Sequence, residues 1–184
     1  MCEEVFVREC SPTLANMKAG NMFSSRFNSF EEVQEYVSEM NYRLNKKGIQ
    51  VIILRYNDGL SLIGVFRVRA LKEILKDKLT REILTKLGYK DLDLRSCLIH
   101  LLVRFQDFND FPHEVGLFLG YPPEDVQGFI QNHSNGQKCI GIWKVYGDEE
   151  SAQKTFEKYR KCTRIFCSLL KKGRSIEKLA VAGW

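Results

Sequence analysis

The fold of the chain depends on the stretch from Phe111 to Phe129, FPHEVGLFLGYPPEDVQGF. It holds three of the four prolines and three of the thirteen glycines, with apolar side chains at most of the positions between them. Because proline fixes one backbone torsion and glycine admits conformations closed to other residues, this composition predicts a tightly specified backbone path. Backbone geometry therefore explains the glycines and prolines, and leaves His113 and Glu114 as the residues that need a functional account.

Length and composition predict one soluble domain over residues 1–184, with a core at about 5–172 and a tail at 173–184. No apolar run approaches the ~20 residues of a transmembrane helix. The N-terminal segment MCEEVFVREC carries acids and lacks the apolar core of a signal peptide. We therefore expect a cytoplasmic protein with no membrane partner. Its six cysteines are interpreted as thiols, and since none forms a CxxC pair we expect no metal and no cofactor.

The clearest predicted helix covers Ser29 to Leu44. Ser29 and Glu32 have the spacing of a capping box, and the segment ends in Lys46-Lys47-Gly48, a typical helix terminus. Apolar residues recur at intervals of three and four, as one buried helix face requires: Phe30, Val33, Val37, Met40 and Leu44.

Two further patterns flank this helix. Before it, Val5 and Val7 alternate with Phe6 and indicate a short strand, and Ser11-Pro12 predicts the start of a short helix that ends near Gly20. After it, IQVIILRY and LSLIGVFRV are joined by Asn57-Asp58-Gly59, which predicts a β-hairpin. The first of these runs is almost continuously apolar and is therefore predicted to be a central strand.

The second half of the chain alternates helices with irregular segments. Helices are predicted at 70–78, 80–87 and 94–106, from Pro122-Pro123 onward, and at 149–172 with Asp148 as its cap. HEVGLFLGY is expected to be extended or irregular, KCIGIWKVYG to be a third strand, and the tail to dock as a strand or stay loose. The sum is an α+β fold of about three mostly antiparallel strands packed with several helices.

Three segments together resemble one family of proteins. They are ECSPTLANMKAGNMF, FPHEVGLFLGYPPEDVQGF, and CIGIWKVYGDEESAQKTFEKYRKCTRIF with its WKVYGD core. The family consists of small uncharacterised bacterial proteins, grouped as a domain of unknown function and common in anaerobic clostridia-like bacteria. The resemblance extends from about Cys10 to Leu179 and implies a single-domain protein from an anaerobe. It implies no activity and no catalytic residues.

Cys10 and His113 suggest thiol chemistry. A cysteine just ahead of a helix start can have its thiol pKa lowered by the helix dipole, and a histidine can serve as its base. Glu114, Asp110 or Asn109 would then orient the imidazole ring. The alternative interpretation is a small buried Cys10 and a His113 that packs at the turn after Pro112.

The sequence contains residue types suited to a metal site and to a nucleotide-binding loop, but the spacing typical of each site is missing. His113, Glu114 and His133, or a cysteine thiolate, are the ligand types of an iron or zinc site, but neither HExxH nor CxxCH is present. Gly116, Gly120 and Gly128 do not form GxGxxG or GxxxxGK[ST], so close packing and the turn before Pro122 explain them better than nucleotide binding.

The net charge of +5 is concentrated near the C-terminal end. From Lys154 to Lys178 there are nine basic residues and two acids, a balance of +7. Nucleic-acid binding through this helix is one interpretation, and a solvated face opposite the buried face is the simpler one.

We therefore expect a binding or accessory protein whose partner is an unknown small molecule or protein. Its candidate binding residues are Lys18, Asn21, Tyr121 and Trp143. Two alternatives follow: a thiol-dependent hydrolase or transferase that uses Cys10, His113 and Glu114, and a nucleic-acid-binding protein that uses the basic C-terminal helix. An enzyme requires Cys10 and His113 to lie close together in a concave pocket, whereas a binding protein does not. A continuous basic face would indicate the nucleic-acid-binding protein.

Overall fold

The computed structural model of the chain describes residues 3–107, 110–132 and 135–183. The elements of this part of the chain are α1 (Glu3–Leu14), β1 (Gly20–Arg26), α2 (Phe30–Leu44), a 3-10 turn (Asn45–Lys47), β2 (Ile49–Asn57), β3 (Leu60–Arg67), α3 (Val68–Ile74), α4 (Lys78–Lys86), α5 (Leu94–Phe105), α6 (Val115–Phe118), α7 (Pro123–Asn132), β4 (Cys139–Ile140), β5 (Lys144–Val145), α8 (Glu149–Lys171) and α9 (Ile176–Leu179). A three-stranded antiparallel sheet, a two-stranded sheet and the helices confirm the α+β class.

The chain divides into two compact units. The first unit is Met1–Ala70 with Tyr159–Trp184, and the second unit is Leu71–Lys158. The single domain expected over 1–184 stays a prediction.

Helix α1 takes the place of the strand and the helix start that were predicted near the N-terminus. Its buried apolar residues follow a helical spacing: Phe6, Val7, Cys10 and Leu14. Ser11 and Pro12 lie in the last turns of this helix, where the Ser11 hydroxyl donates to the carbonyl of Val7. The chain then turns at Asn16, which has a left-handed φ of 58°. The helical period of the buried side chains therefore outweighs the two-residue alternation that indicated a strand.

Strand β3 is the centre of the sheet, whose order is β1-β3-β2. The prediction that the first run of the hairpin would be central is wrong, because GNMFSSR forms β1 and pairs with the other side of β3. The hairpin of β2 and β3 itself is confirmed. Its turn residues Asp58 and Gly59 have φ of 46° and 75°, the positive values that a two-residue hairpin turn requires.

Helix α2 has the predicted bounds and also closes part of the outer edge of β2. The Ser29 hydroxyl accepts a hydrogen bond from the backbone N–H of Glu32 at 3.3 Å, as the capping box predicts. Nearer the other end of the helix, Asn41 Nδ2 donates to the carbonyl of Val51 at 2.7 Å, and Asn41 Oδ1 accepts from the Val51 N–H at 2.8 Å. One side-chain amide thus satisfies a peptide group that an edge strand otherwise offers to another chain.

Arg67, the last residue of β3, joins three parts of the first unit. Its side chain is buried, and Nε and Nη2 donate to the carbonyls of Thr13 and Leu14 at 2.7 Å. Nη1 donates to the carbonyl of Lys47 at 2.9 Å. These acceptors terminate α1 and the 3-10 turn, where backbone carbonyls lack helical partners and carry negative partial charge. Burial lowers the pKa of Arg67 to about 10, which still leaves it charged at neutral pH.

The C-terminal tail uses two of the same carbonyls. The N–H of Val181 donates to Leu14 at 2.9 Å, and that of Gly183 donates to Lys47 at 3.2 Å. Helix α9 precedes these contacts, and its residues Ile176 and Leu179 are buried in the core of the first unit. The tail therefore docks as a short helix, neither as a strand nor as a loose segment.

Asp125 on α7 is a buried charged residue that joins several parts of the second unit, as Arg67 does in the first unit. Its buried carboxylate accepts from the indole N–H of Trp143 and from the backbone N–H groups of Tyr146 and Gly147, each at 2.7 Å. These donors lie on and after the hairpin of β4 and β5, which replaces the single third strand predicted over KCIGIWKVYG. The proline pair opens α7 as predicted, and Asp148 caps α8 by accepting from the N–H of Ser151 at 3.0 Å.

The stretch 111–129 is partly helical where an extended or irregular path was predicted. Residues Val115–Phe118 form α6, and the N–H of Leu119 donates to the carbonyl of Val115 at 2.9 Å. A Cβ atom added at Gly116 would lie 2.9 Å from Val126 Cγ2, and Gly120 has φ of 79°. These two glycines therefore serve close packing and a turn, as the sequence indicated.

We predict that Arg67→Met destabilises the protein by about 3 kcal/mol, since three main-chain carbonyls each lose a charged donor and the Thr13 carbonyl loses it in a buried position. Arg67→Lys is expected to fall between this variant and the wild type, because one ammonium cannot match the spacing of a guanidinium fork. The free energy of unfolding in urea measures both. Arg69→Met is the control, since Arg69 is exposed two residues later. An equal effect of the two Met substitutions would contradict the role given to Arg67.

Candidate functional site

Cys10 is buried inside α1 and does not precede a helix start. Its side chain is 0% exposed and belongs to the hydrophobic core of the first unit. Burial raises the pKa of the Cys10 thiol well above its usual value, and the charge of Lys18 opposes this only in part. The expected lowering of its pKa by a helix N-terminus is therefore wrong, since the residue lies in the second half of the helix. At neutral pH this thiol is protonated.

His113 and Glu114 are adjacent in sequence but differ in environment. His113 is exposed, and its ring centroid lies 4.7 Å from that of Phe129 and 5.5 Å from that of Phe111. Glu114 is buried, and its Oε1 accepts from Arg104 Nε at 3.0 Å and from the Tyr89 hydroxyl at 3.2 Å. Glu114 thus belongs to a buried ion pair.

Asp110, the other candidate for orienting the imidazole, also contacts Arg104, at 3.0 Å. Asn109 and His133 lie outside the described residues. Cys10 belongs to the first unit and His113 to the second, and the proposed pairing of the two stays a prediction.

Lys18 and Asn21 flank the start of β1 and are held within the first unit. Lys18 is 5% exposed, and burial lowers the pKa of its ammonium group to about 8. Asn21 Oδ1 accepts a hydrogen bond from the Thr13 hydroxyl at 2.7 Å. The sequence did not single out Tyr36 of α2, whose hydroxyl is buried and has no hydrogen-bond partner among the described residues. Burial raises the pKa of Tyr36, and the Cys10 thiol acts in the same direction.

Tyr121 and Trp143 come together in the second unit. Their rings stack with centroids 4.9 Å apart, and the opposing Phe156 ring meets Trp143 edge to face at 4.5 Å. The bond from the Trp143 indole to Asp125 fixes this arrangement. The pair was named as two separate binding candidates, and the structure makes it one half-buried aromatic contact.

The C-terminal half of α8 presents a basic surface in the first unit. Its apolar residues pack against the core, and six cations of the segment 160–174 are exposed: Arg160, Lys161, Arg164, Lys171, Lys172 and Arg174. We call these six residues the basic face. No carboxylate of the described residues lies within 4.0 Å of any of them. The segment 160–174 contains no acid at all.

Only part of the basic face is explained by helix stability. Lys171 and Lys172 lie at the C-terminal end, where cations complement the helix dipole. Arg160, Lys161 and Arg164 lie more than a turn from both ends of the helix, beyond the reach of that effect. None of these three cations has a carboxylate of the described residues within 4.0 Å, and they are the strongest sign of a negatively charged partner.

The described residues give less support to a metal site or to a membrane-spanning helix. No three His, Cys, Asp or Glu side chains in that part of the chain converge as metal ligands would. The same residues include no helix with the length and apolar composition needed to cross a bilayer.

We predict that iodoacetamide modifies Cys10 at least ~100-fold more slowly in the folded protein than in urea, because the buried thiol must be exposed and deprotonated first. Mass spectrometry of the peptide that carries Cys10 measures the rate, and the half-buried Cys167 serves as an internal comparison. If Cys10 reacts faster than an unfolded thiol, the environment described here is wrong and the nucleophile hypothesis gains support.

A pH dependence follows from Lys18. Its pKa is about 8 in the folded chain, against about 10.4 for an unperturbed lysine. Between these values the unfolded chain binds more protons, so raising the pH stabilises the fold. We expect the free energy of unfolding of the wild type, relative to Lys18→Met, to increase from about pH 7 to about pH 10. Urea titrations at several pH values measure this difference, with Lys46→Met at an exposed position as the control substitution. A difference for Lys18 that does not change with pH would contradict its burial as a cation.

Comparison with known protein families found a match. The model of a family described as protein of unknown function (DUF3793) matches residues 6–180. This range includes α8 and its basic face, together with Cys10, Lys18 and the stretch 111–129. No curated protein and no solved structure matched the chain. The description of the family assigns no activity, so any function must be argued from the residues.

Proposed function

We propose that this chain, which belongs to the family of proteins of unknown function (DUF3793), is a cytoplasmic binding protein whose partner is nucleic acid. The basic face of α8 is the single observation that carries the proposal. The bacterial and anaerobic source implied by the resemblance is part of the same proposal. In this view the chain needs no catalytic step, and its partner is recognised through phosphate groups.

The dimensions of the basic face suit a phosphate backbone. Arg160 and Lys171 are eleven residues apart on one helix, a rise of about 17 Å. Duplex DNA carries one charge per ~1.7 Å of its axis when both strands are counted, so a segment of this length carries roughly ten phosphates on its two strands. Six cations without an intervening acid can replace several of the counterions that such a backbone holds. The gain in entropy from released counterions would drive the association.

An anionic membrane surface fits this helix less well. Basic amphipathic helices bind membranes by inserting their apolar face below the headgroups. In α8 the corresponding residues are already packed against the core of the first unit: Phe166, Cys167, Leu169 and Leu170. Ile165 is the exposed large apolar residue of this half of the helix. The helix therefore offers charge without an apolar face to insert, which favours a soluble polyanion.

The thiol-dependent enzyme remains an alternative with less support. A nucleophilic cysteine needs access to substrate and a lowered thiol pKa. Cys10 has neither of these properties, since it is buried and its pKa is raised. A binding role requires no such group and uses side chains that are already exposed.

We predict that the wild type binds a fluorescein-labelled single-stranded RNA and a labelled DNA duplex, and that both affinities fall steeply between ~50 and ~200 mM salt. The double variant Lys161→Glu and Arg164→Glu should bind at least about tenfold more weakly. The slope of log affinity against log salt concentration should also fall by about two, because two phosphate contacts are lost. Fluorescence anisotropy measures both quantities.

The matched control is the double variant Arg26→Glu and Lys46→Glu, which changes the net charge equally at two exposed positions outside α8. It should retain most of the affinity. Equal losses in the two double variants would reduce the effect to net charge and contradict a defined interface. Binding that does not weaken with salt would exclude phosphate contacts.

A further inference from the structure

The second unit contains an open groove along α4. Its volume is ≈ 550 Å³, and it is lined by Lys76, Lys78, Arg81, Thr85, Lys86 and Leu92, with Glu82 as the one acid. Four cations and one carboxylate therefore line the same open groove. This volume falls in the range of pockets that hold small organic ligands. The groove lies within residues 71–158 and shares no residue with the basic face.

The cations of the groove differ in how they are held. Lys76 Nζ contacts the Glu73 carboxylate at 2.8 Å, so its charge is partly neutralised. Arg81 Nη1 donates to the carbonyl of Leu75 at 3.2 Å, which positions the guanidinium while leaving its charge unpaired. Lys78 and Lys86, like Arg81, have no carboxylate of the described residues within 4.0 Å. Three cations without an ion pair among the described residues thus line the groove together with Glu82.

Helix stability does not explain two of these three. Lys78 is the first residue of α4, and Arg81 follows within the first turn. This turn contains no acidic residue. Cations at the positive end of a helix dipole are unfavourable, so this placement lowers the stability of α4. Asp77 offsets part of that cost as the N-cap, accepting from the N–H of Thr80 at 2.8 Å. Lys86 at the opposite end is favourable and needs no further explanation.

We infer that this groove binds a pyrophosphate group, either free or as part of a nucleoside diphosphate. A planar guanidinium held by a backbone carbonyl can donate two parallel bonds to one phosphate, and Lys78 adds a mobile cation beside it. Leu92 and the aliphatic part of Lys86 give an apolar wall, and Thr85 adds a hydroxyl. Two linked phosphates match three cations better than a single phosphate does, since they carry more charge over a longer span.

The test is isothermal titration of the full chain with pyrophosphate, ADP and inorganic phosphate. We expect pyrophosphate and ADP to bind at least about tenfold more tightly than phosphate, a difference of ~1.4 kcal/mol. Lys78→Ala with Arg81→Ala should weaken both by at least about tenfold. Tighter binding of ADP than of pyrophosphate would assign the site to a nucleotide, and equal binding would assign it to the free anion.

The matched control removes two exposed cations of the same unit, Lys154→Ala with Lys158→Ala, and should bind pyrophosphate as the wild type does. If the Lys78 and Arg81 variant does not fold, the single exposed substitution Lys86→Glu tests the same groove. Absence of pyrophosphate and ADP binding, or equal binding by control and groove variants, would overturn the inference. The Lys161→Glu and Arg164→Glu variant should keep full pyrophosphate affinity, so failure of the nucleic-acid proposal would leave this result unaffected.

Discussion

The first unit depends on the burial of one positive charge at the ends of two backbone segments. Arg67 has no carboxylate partner there, and three main-chain carbonyls take the place of one. Burying a cation is costly unless its donors are satisfied, and the negative end of α1 supplies both acceptors and favourable potential. Because Leu14 and Lys47 also accept from the tail, the guanidinium fixes strand, helix and C-terminus at one point.

In the second unit the buried charges are negative, and hydrogen-bond donors likewise satisfy each of them. Asp125 is surrounded by N–H donors, and Glu114 is paired with Arg104. The stretch 111–129 therefore contributes two buried carboxylates, and each holds a different part of the unit in place. Trp143 acquires its position from Asp125, which is why its ring stacks on Tyr121. The titratable residues of the opening stretch are thus explained largely by architecture, with His113 as the exposed exception.

Charge that stabilises the fold is buried and paired, whereas charge available to partners is exposed and unbalanced. The middle of α8 and the first turn of α4 both hold cations that the helix dipole does not favour. At the first turn of α4 this placement lowers helix stability, whereas in the middle of α8 the dipole has no effect. The two surfaces suit ligands of different size, because one lies along an extended helix face and the other lines a groove.

Local patterns in the sequence were sufficient for α2, the β2–β3 hairpin, α7 and α8, because caps, turns and helical periods act within a few residues. They were also sufficient to find the basic segment, since charge is visible in composition. For α1 the two-residue alternation of Val5 and Val7 was misleading, because the helical spacing of the buried side chains decides the structure. Local patterns also failed for β1 and for the tail, where packing against distant residues decided the structure. Nothing in the sequence distinguishes Arg67 from the other lysines and arginines, or decides between a reactive Cys10 and a buried one. Those facts depend on hydrogen bonds and contacts between segments far apart in the chain, which only the tertiary structure brings together.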